Sequence, residues 1–120
     1  MEIRNATVAL AALGQSTRLM VFRTLVEAGP EGRMVGDIAE LLSLPGATLS
    51  FHLKELTAAG LISGEQRGRY ICYRVNFDTM NELIEFLTHN CCGGDPGQCQ
   101  PKVSMAEKKK KKIIRKRVTQ

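Results

Sequence analysis

Residues 44–62, LPGATLSFHLKELTAAGLI, decide how this chain is read. Leu49, Leu53 and Leu56 recur at helical spacing and predict a helix with one apolar stripe. Ala47, Thr48, Ser50, Phe51 and Lys54 fall off that stripe, which leaves the opposite face available to meet something else. Leu44-Pro45-Gly46 reads as a tight turn into the helix. Gly60 reads as its stop, because glycine turns left-handed without a Cβ penalty. A half-exposed helix reached through a turn from an earlier helix is the pattern of a helix-turn-helix element. Plain core packing can produce the same pattern, so the flanking sequence has to discriminate.

Upstream, residues 5–13 (NATVALAAL) predict a first helix, small enough on one side for close packing against a partner. Gly14-Gln15-Ser16 breaks it, and Ser16 is placed to cap a second helix from Thr17 to Ala28. Leu19, Phe22, Leu25 and Val26 are the expected core stripe of that helix. Gly29-Pro30-Glu31-Gly32 reads as a loop. A third helix, Met34 to Leu42, turns Val35, Ile38, Ala39 and Leu42 inward and Asp37 and Glu40 outward.

Downstream, Leu61–Gln66 and Tyr70–Val75 read as the strands of a β-hairpin around Arg67-Gly68-Arg69. A hairpin directly after a reader helix is a wing, and a basic tip suits a phosphate backbone or minor groove. A last helix from Asp78 to Asn90 carries Met80, Leu83, Ile84 and Leu87 as one stripe. The expected fold is mainly α with a small β-hairpin (α+β), a winged helix-turn-helix of order ααααββα. Apolar stripes on both terminal helices predict a homodimer built through them, since a two-fold dimer matches two DNA half-sites. The alternative is that both helices close the core of a monomer.

The net charge of +5 is unevenly placed. Residues 1–101 hold 8 basic and 11 acidic side chains, whereas residues 102–120 hold 9 basic and 1 acidic. Any DNA affinity of the domain must therefore come from local placement of a few cations. The organisation expected is a DNA-binding and dimerisation domain over 1–90, a cysteine-bearing segment over 91–101 and a basic tail over 102–120 of low complexity. No run is long and apolar enough for a membrane span and no signal peptide is read, so a cytoplasmic protein with reduced cysteines is expected.

STRLMVFRTL, VGDIAELL, ATLSFHLKELTAAGLI and RGRYICYRV together resemble the ArsR/SmtB family of small winged-helix repressors that sense metals and metalloids. The resemblance implies a homodimer that binds an inverted repeat in double-stranded operator DNA and releases it when an ion binds. It places base and backbone contacts on Ala47, Thr48, Ser50, Phe51 and Lys54, with Arg67 and Arg69 at the wing. His52 matches a usual family position, and its place beside the apolar stripe favours a structural hydrogen bond over base contact. The family's arsenic sensors carry a Cys-Val-Cys-Asp-Leu-Cys motif on the third helix. Here its positions are held by Met34, Gly36 and Ala39, so that site is absent. The Asp and His pattern of the family's zinc sensors is not recreated by Asp78, Glu82, Glu85 and His89.

What remains for sensing is Cys91, Cys92 and Cys99. The glycine- and proline-rich stretch between Cys92 and Cys99 can fold back and bring three sulfurs together. Three thiolates without a strong fourth ligand favour a soft three-coordinate centre, As(III) or Sb(III), whose lone pair fills the fourth direction. NCCGGDPGQC resembles the C-terminal cysteine trio of some arsenic-responsive family members. The alternatives are Zn(2+) held by the three thiolates and His89, a Cys92–Cys99 disulfide switch, and solvated cysteines without a role. Cys72, within the second wing strand, reads as packing. A thiol reductase or exchanger is the enzyme reading. No His or Arg neighbourhood surrounds a thiol and no phosphate loop or triad is visible, so a non-enzymatic repressor is expected. A winged-helix protein that binds DNA and senses nothing is the remaining class.

Overall fold

The computed structural model describes residues 1–95, and the chain divides into a unit of Met1–Leu87 and a unit beginning at Thr88. The elements up to this boundary are α1 (Ile3–Leu13), α2 (Ser16–Ala28), a 3-10 turn (Gly29–Glu31), β1 (Arg33–Met34), α3 (Val35–Leu42), α4 (Gly46–Ala58), β2 (Ile62–Arg67), β3 (Tyr70–Val75) and α5 (Phe77–Thr88), whose last residue is the first of the second unit. This is the expected winged helix-turn-helix order with one strand added.

That strand is β1. It pairs antiparallel with β3, Arg33 opposite Tyr73 and Met34 opposite Cys72, giving a sheet of order β1-β3-β2. Two residues carry no detectable periodicity, and β1 owes its place to Gly32. Gly32 has φ +72, and a Cβ there would run into the Tyr73 carbonyl oxygen. The hairpin itself pairs from Ile62 opposite Val75 to Arg67 opposite Tyr70. Arg67 is thus a strand residue, and the turn is Gly68-Arg69, with glycine at φ +65 in the first central position, as tight two-residue hairpins prefer.

The core gathers where the helices meet the base of the sheet. Val21, Leu25, Ile38, Leu49, Leu53, Leu56, Leu61 and Ile62 are essentially without solvent exposure. Each such side chain contributes about 1.5–3 kcal/mol through burial, which makes the α4 stripe read from the sequence a main support of the fold. Gly60, at φ +80, ends α4, and Leu61 donates its amide back to Leu56. Asn76 then ties this end of α4 to the end of β3. Its side chain donates to the Gly60 carbonyl at 2.8 Å and its amide to Leu61 at 2.9 Å.

Several local expectations are corrected. Leu19 is 44% exposed and Val21 takes its place in the core, because α2 is turned so that Val21, Phe22 and Leu25 face inward. Ser16 is the first helical residue. The cap is Gln15, whose side chain accepts from the Arg18 amide at 2.8 Å. The alanine face of α1 does not await a partner: Ala6, Ala9 and Ala12 are buried in this chain's own core. The α5 stripe splits, with Leu83 buried and Met80 against the core but Ile84 and Leu87 exposed. α5 ends at Thr88, short of the Asn90 expected.

In the second unit, Asn90 and Cys92 adopt left-handed backbone angles, φ 58 and φ 56, around a 3-10 turn of Cys91–Gly94. None of the helices among the described residues is long and apolar enough to cross a membrane.

Candidate nucleic-acid interface

The reader face of α4 stands clear of the core. Ala47, Thr48, Ser50, Phe51 and Lys54 are all exposed, Phe51 by 55%. An aromatic ring held in water on a short helix suits apolar contact with a thymine methyl, and a serine beside it suits a base edge or phosphate. The Phe51 ring meets the His52 ring edge-on, with centroids 5.4 Å apart. His52 itself is 7% exposed and turns inward, consistent with the structural part expected of it.

Inward, His52 meets Arg18, a residue whose importance the sequence does not announce. The Arg18 Nη1 lies 3.4 Å from His52 Nδ1, and its Nε donates to the Ala12 carbonyl at 2.7 Å. A guanidinium has no acceptor, so in this contact Arg18 is the donor and Nδ1 the acceptor. Through this one side chain the end of α1, the start of α2 and the reader helix are held together.

Between α4 and the wing lies an open cleft of about 660 Å³, where Ser50 and Lys54 face Arg69 and Tyr70. Among the described residues neither Lys54 nor Arg69 is in an ion pair. Arg67 differs. It belongs to the opposite face of the hairpin and pairs with Glu65 at 3.2 Å, a carboxylate that Arg74 also holds at 3.1 Å. Hydrogen bonds from Arg74 and then Arg67 keep the Glu65 carboxyl below the usual carboxylate range. The two wing arginines, equivalent in the sequence, are therefore unequal in space.

Of the cysteines, Cys72 is buried, its thiol 3.4 Å from the Glu31 carbonyl, as packing requires. Cys91 is half-buried and Cys92 exposed, and neither is in a disulfide. Cys99 lies outside the described residues. Among the described residues no three His, Cys, Asp or Glu side chains gather as a metal site.

A family profile described as a helix-turn-helix domain matches residues 13–65. The chain is 32% identical over 81 residues to the arsenical resistance operon repressor of Bacillus subtilis, covering 68% of this chain and 73% of that one. The chain belongs to the ArsR family. This ArsR-family protein is also 36% identical over 66 residues to the HTH-type transcriptional repressor SmtB of Mycobacterium tuberculosis, spanning 55% of its own length and 47% of the relative's. Its fold matches that of an ArsR-like transcriptional regulator from Rhodococcus sp. RHA1, with TM-score 0.66 at 24% identity over 79% of this chain and 87% of that one. It also matches the homodimeric winged helix-turn-helix DNA-binding domain of a Mycobacterium bovis protein, with TM-score 0.60 at 23% identity over 72% and 85%. The ArsR-family chain is a DNA-binding transcriptional repressor and not an enzyme.

Proposed function

We propose that this repressor is a cytoplasmic homodimer that binds an inverted repeat in operator DNA and leaves it when As(III) or Sb(III) binds Cys91, Cys92 and Cys99. The observation that carries the DNA half is the exposed row Thr48, Ser50, Phe51 and Lys54, of which Ser50 and Lys54 line an open cleft with Arg69. Ala47 completes the face, whereas Arg67, expected as a wing contact, lies across the hairpin in an ion pair with Glu65. Ile3, Val8, Ile84 and Leu87 leave apolar surface on α1 and α5 for the second subunit.

The metalloid half rests on donor chemistry. Two adjacent thiols of the Cys91–Gly94 turn, one half-buried and one exposed, supply soft ligands, and Cys99 lies seven residues beyond the second. Bound there, a trivalent metalloid would tie the segment after α5 to itself. Altered packing of α5, which carries Ile84 and Leu87, then changes the spacing of the two reader helices. A coupling of about 1–3 kcal/mol suffices for a 5–150-fold loss of affinity.

The test is operator titration, on duplexes selected in vitro, with and without arsenite. Wild type should bind and then release on arsenite. Cys91→Ser, Cys92→Ser and Cys99→Ser should bind equally well and stay bound. Release of all three variants would move the sensor elsewhere. Release by zinc alone, abolished in His89→Gln, would replace the metalloid by a Cys₃His zinc site.

A further inference from the structure

The two faces of the hairpin carry different chemistry. Side chains alternate along a strand, so Ile71 and Tyr73 look toward α4 beside Arg69, while Cys72 and Arg74 look across the Pro30–Met34 segment beside Arg67. Glu65 stands on this second face, opposite Cys72 and diagonal to Arg74. One oxygen, Oε1, accepts from both Arg67 Nη2 and Arg74 Nη1. Arg74 is itself anchored, since its Nε donates to the Pro30 carbonyl at 3.2 Å. The carboxylate is thus fixed from behind by Arg74 and holds Arg67 in front.

This arrangement adds little to the fold. Both pairs are exposed, and exposed pairs contribute marginally. The hairpin is already fixed by its ladder from Ile62–Val75 to Arg67–Tyr70. What the pair does change is the field at the wing tip, where it cancels a cation and presents a carboxylate that phosphates avoid.

We propose that Glu65 is a counter-charge that holds Arg67 off the DNA backbone, so that the wing meets phosphate with Arg69 and without Arg67. The inference rests on the DNA-binding reading above and deepens it. A backbone contact strengthens binding to every sequence alike, and a repressor's discrimination is the ratio of specific to non-specific affinity. Muting one wing cation therefore lowers the non-specific term and leaves base contacts by α4 untouched.

The experiment measures binding of the full chain to a fluorescent random-sequence duplex over a salt series. Glu65→Gln should bind about two- to fivefold tighter, with a log–log salt slope steeper by about 0.9, one added phosphate contact. Arg67→Gln should change neither quantity in wild type, and should return the Glu65→Gln protein to wild-type behaviour. Unchanged affinity and slope in Glu65→Gln, with wild type binding DNA, would overturn the inference. So would an Arg67→Gln loss as large in wild type as in the Glu65→Gln background. Failure of both wild type and Glu65→Gln to bind any duplex would overturn the DNA reading itself, and this inference with it.

Discussion

Arg18 and His52 are 34 residues apart in sequence, yet the Arg18 guanidinium reaches the buried Nδ1 of His52 at 3.4 Å while its Nε holds the last turn of α1. The reader helix is therefore seated on a charged side chain from another helix, in addition to its leucine stripe. His52→Leu removes the acceptor and leaves the part-buried guanidinium underbonded, and should cost about 1–3 kcal/mol in urea unfolding. His52→Asn, which keeps an acceptor near the same place, should cost less. Arg18→Gln and His52→Leu combined should fall short of additivity, since both remove one contact. Full additivity would show that the two side chains act separately.

Leucines of one helical pattern should differ sharply. Leu53→Ala empties a fully packed site in α4, and Leu25→Ala does so in α2. Each should lose about 2–5 kcal/mol. Leu19→Ala, at a position 44% exposed, should stay within about 0.5 kcal/mol of wild type for the isolated subunit. Denaturant midpoints for the three variants check this. A Leu19→Ala loss as large as that of Leu25→Ala would contradict the orientation of α2.

Two glycines with nearly equal φ separate backbone strain from steric exclusion. Gly29 at φ +74 has open space where a Cβ would stand, whereas at Gly32, φ +72, the Cβ would strike the Tyr73 carbonyl. Gly29→Ala should cost about 1–3 kcal/mol, the penalty of holding alanine at φ 74 and ψ -159, backbone angles that essentially only glycine adopts. Gly32→Ala should cost more and should loosen β1 from β3, read as faster amide exchange at Arg33 and Tyr73.

The Glu65 carboxyl should titrate below the ordinary carboxylate range in a carbon-detected NMR titration. Arg74→Gln should raise it more than Arg67→Gln, because the hydrogen bond from Arg74 is the larger cause. The sign follows from linkage. A carboxyl whose folded pKa lies below its unfolded one contributes stability above the unfolded pKa and loses it as pH falls through the folded value. Between pH 6 and 8 the wing's ion pairs should therefore be constant in strength. A Glu65 titration at the ordinary carboxylate position would mean that the two arginines do not hold it in solution.

The sequence by itself determined the reader helix. Leu49, Leu53 and Leu56 at helical spacing, closed by Gly60, specify one buried stripe and one exposed face, because periodicity and a left-handed stop are local properties of the chain. The strands of the wing and the family pattern in SFHLKELTAAGLI were legible for the same reason. The cysteines gave donor chemistry and no geometry.

Only the tertiary structure decided what depends on distant partners. β1 exists because Gly32 lets two residues lie against β3, a pairing across about forty positions that no local signal encodes. The alanine face of α1 fits a partner helix or its own core equally well until the packing of the other helices fills one of those places. Arg67 and Arg69 look alike as letters. The reversal of the chain at Gly68-Arg69 puts them on opposite sides of the hairpin, one beside Lys54 in the open cleft and the other against Glu65. Electrostatic pairing is set by distance in space, and that distance is what the fold supplies.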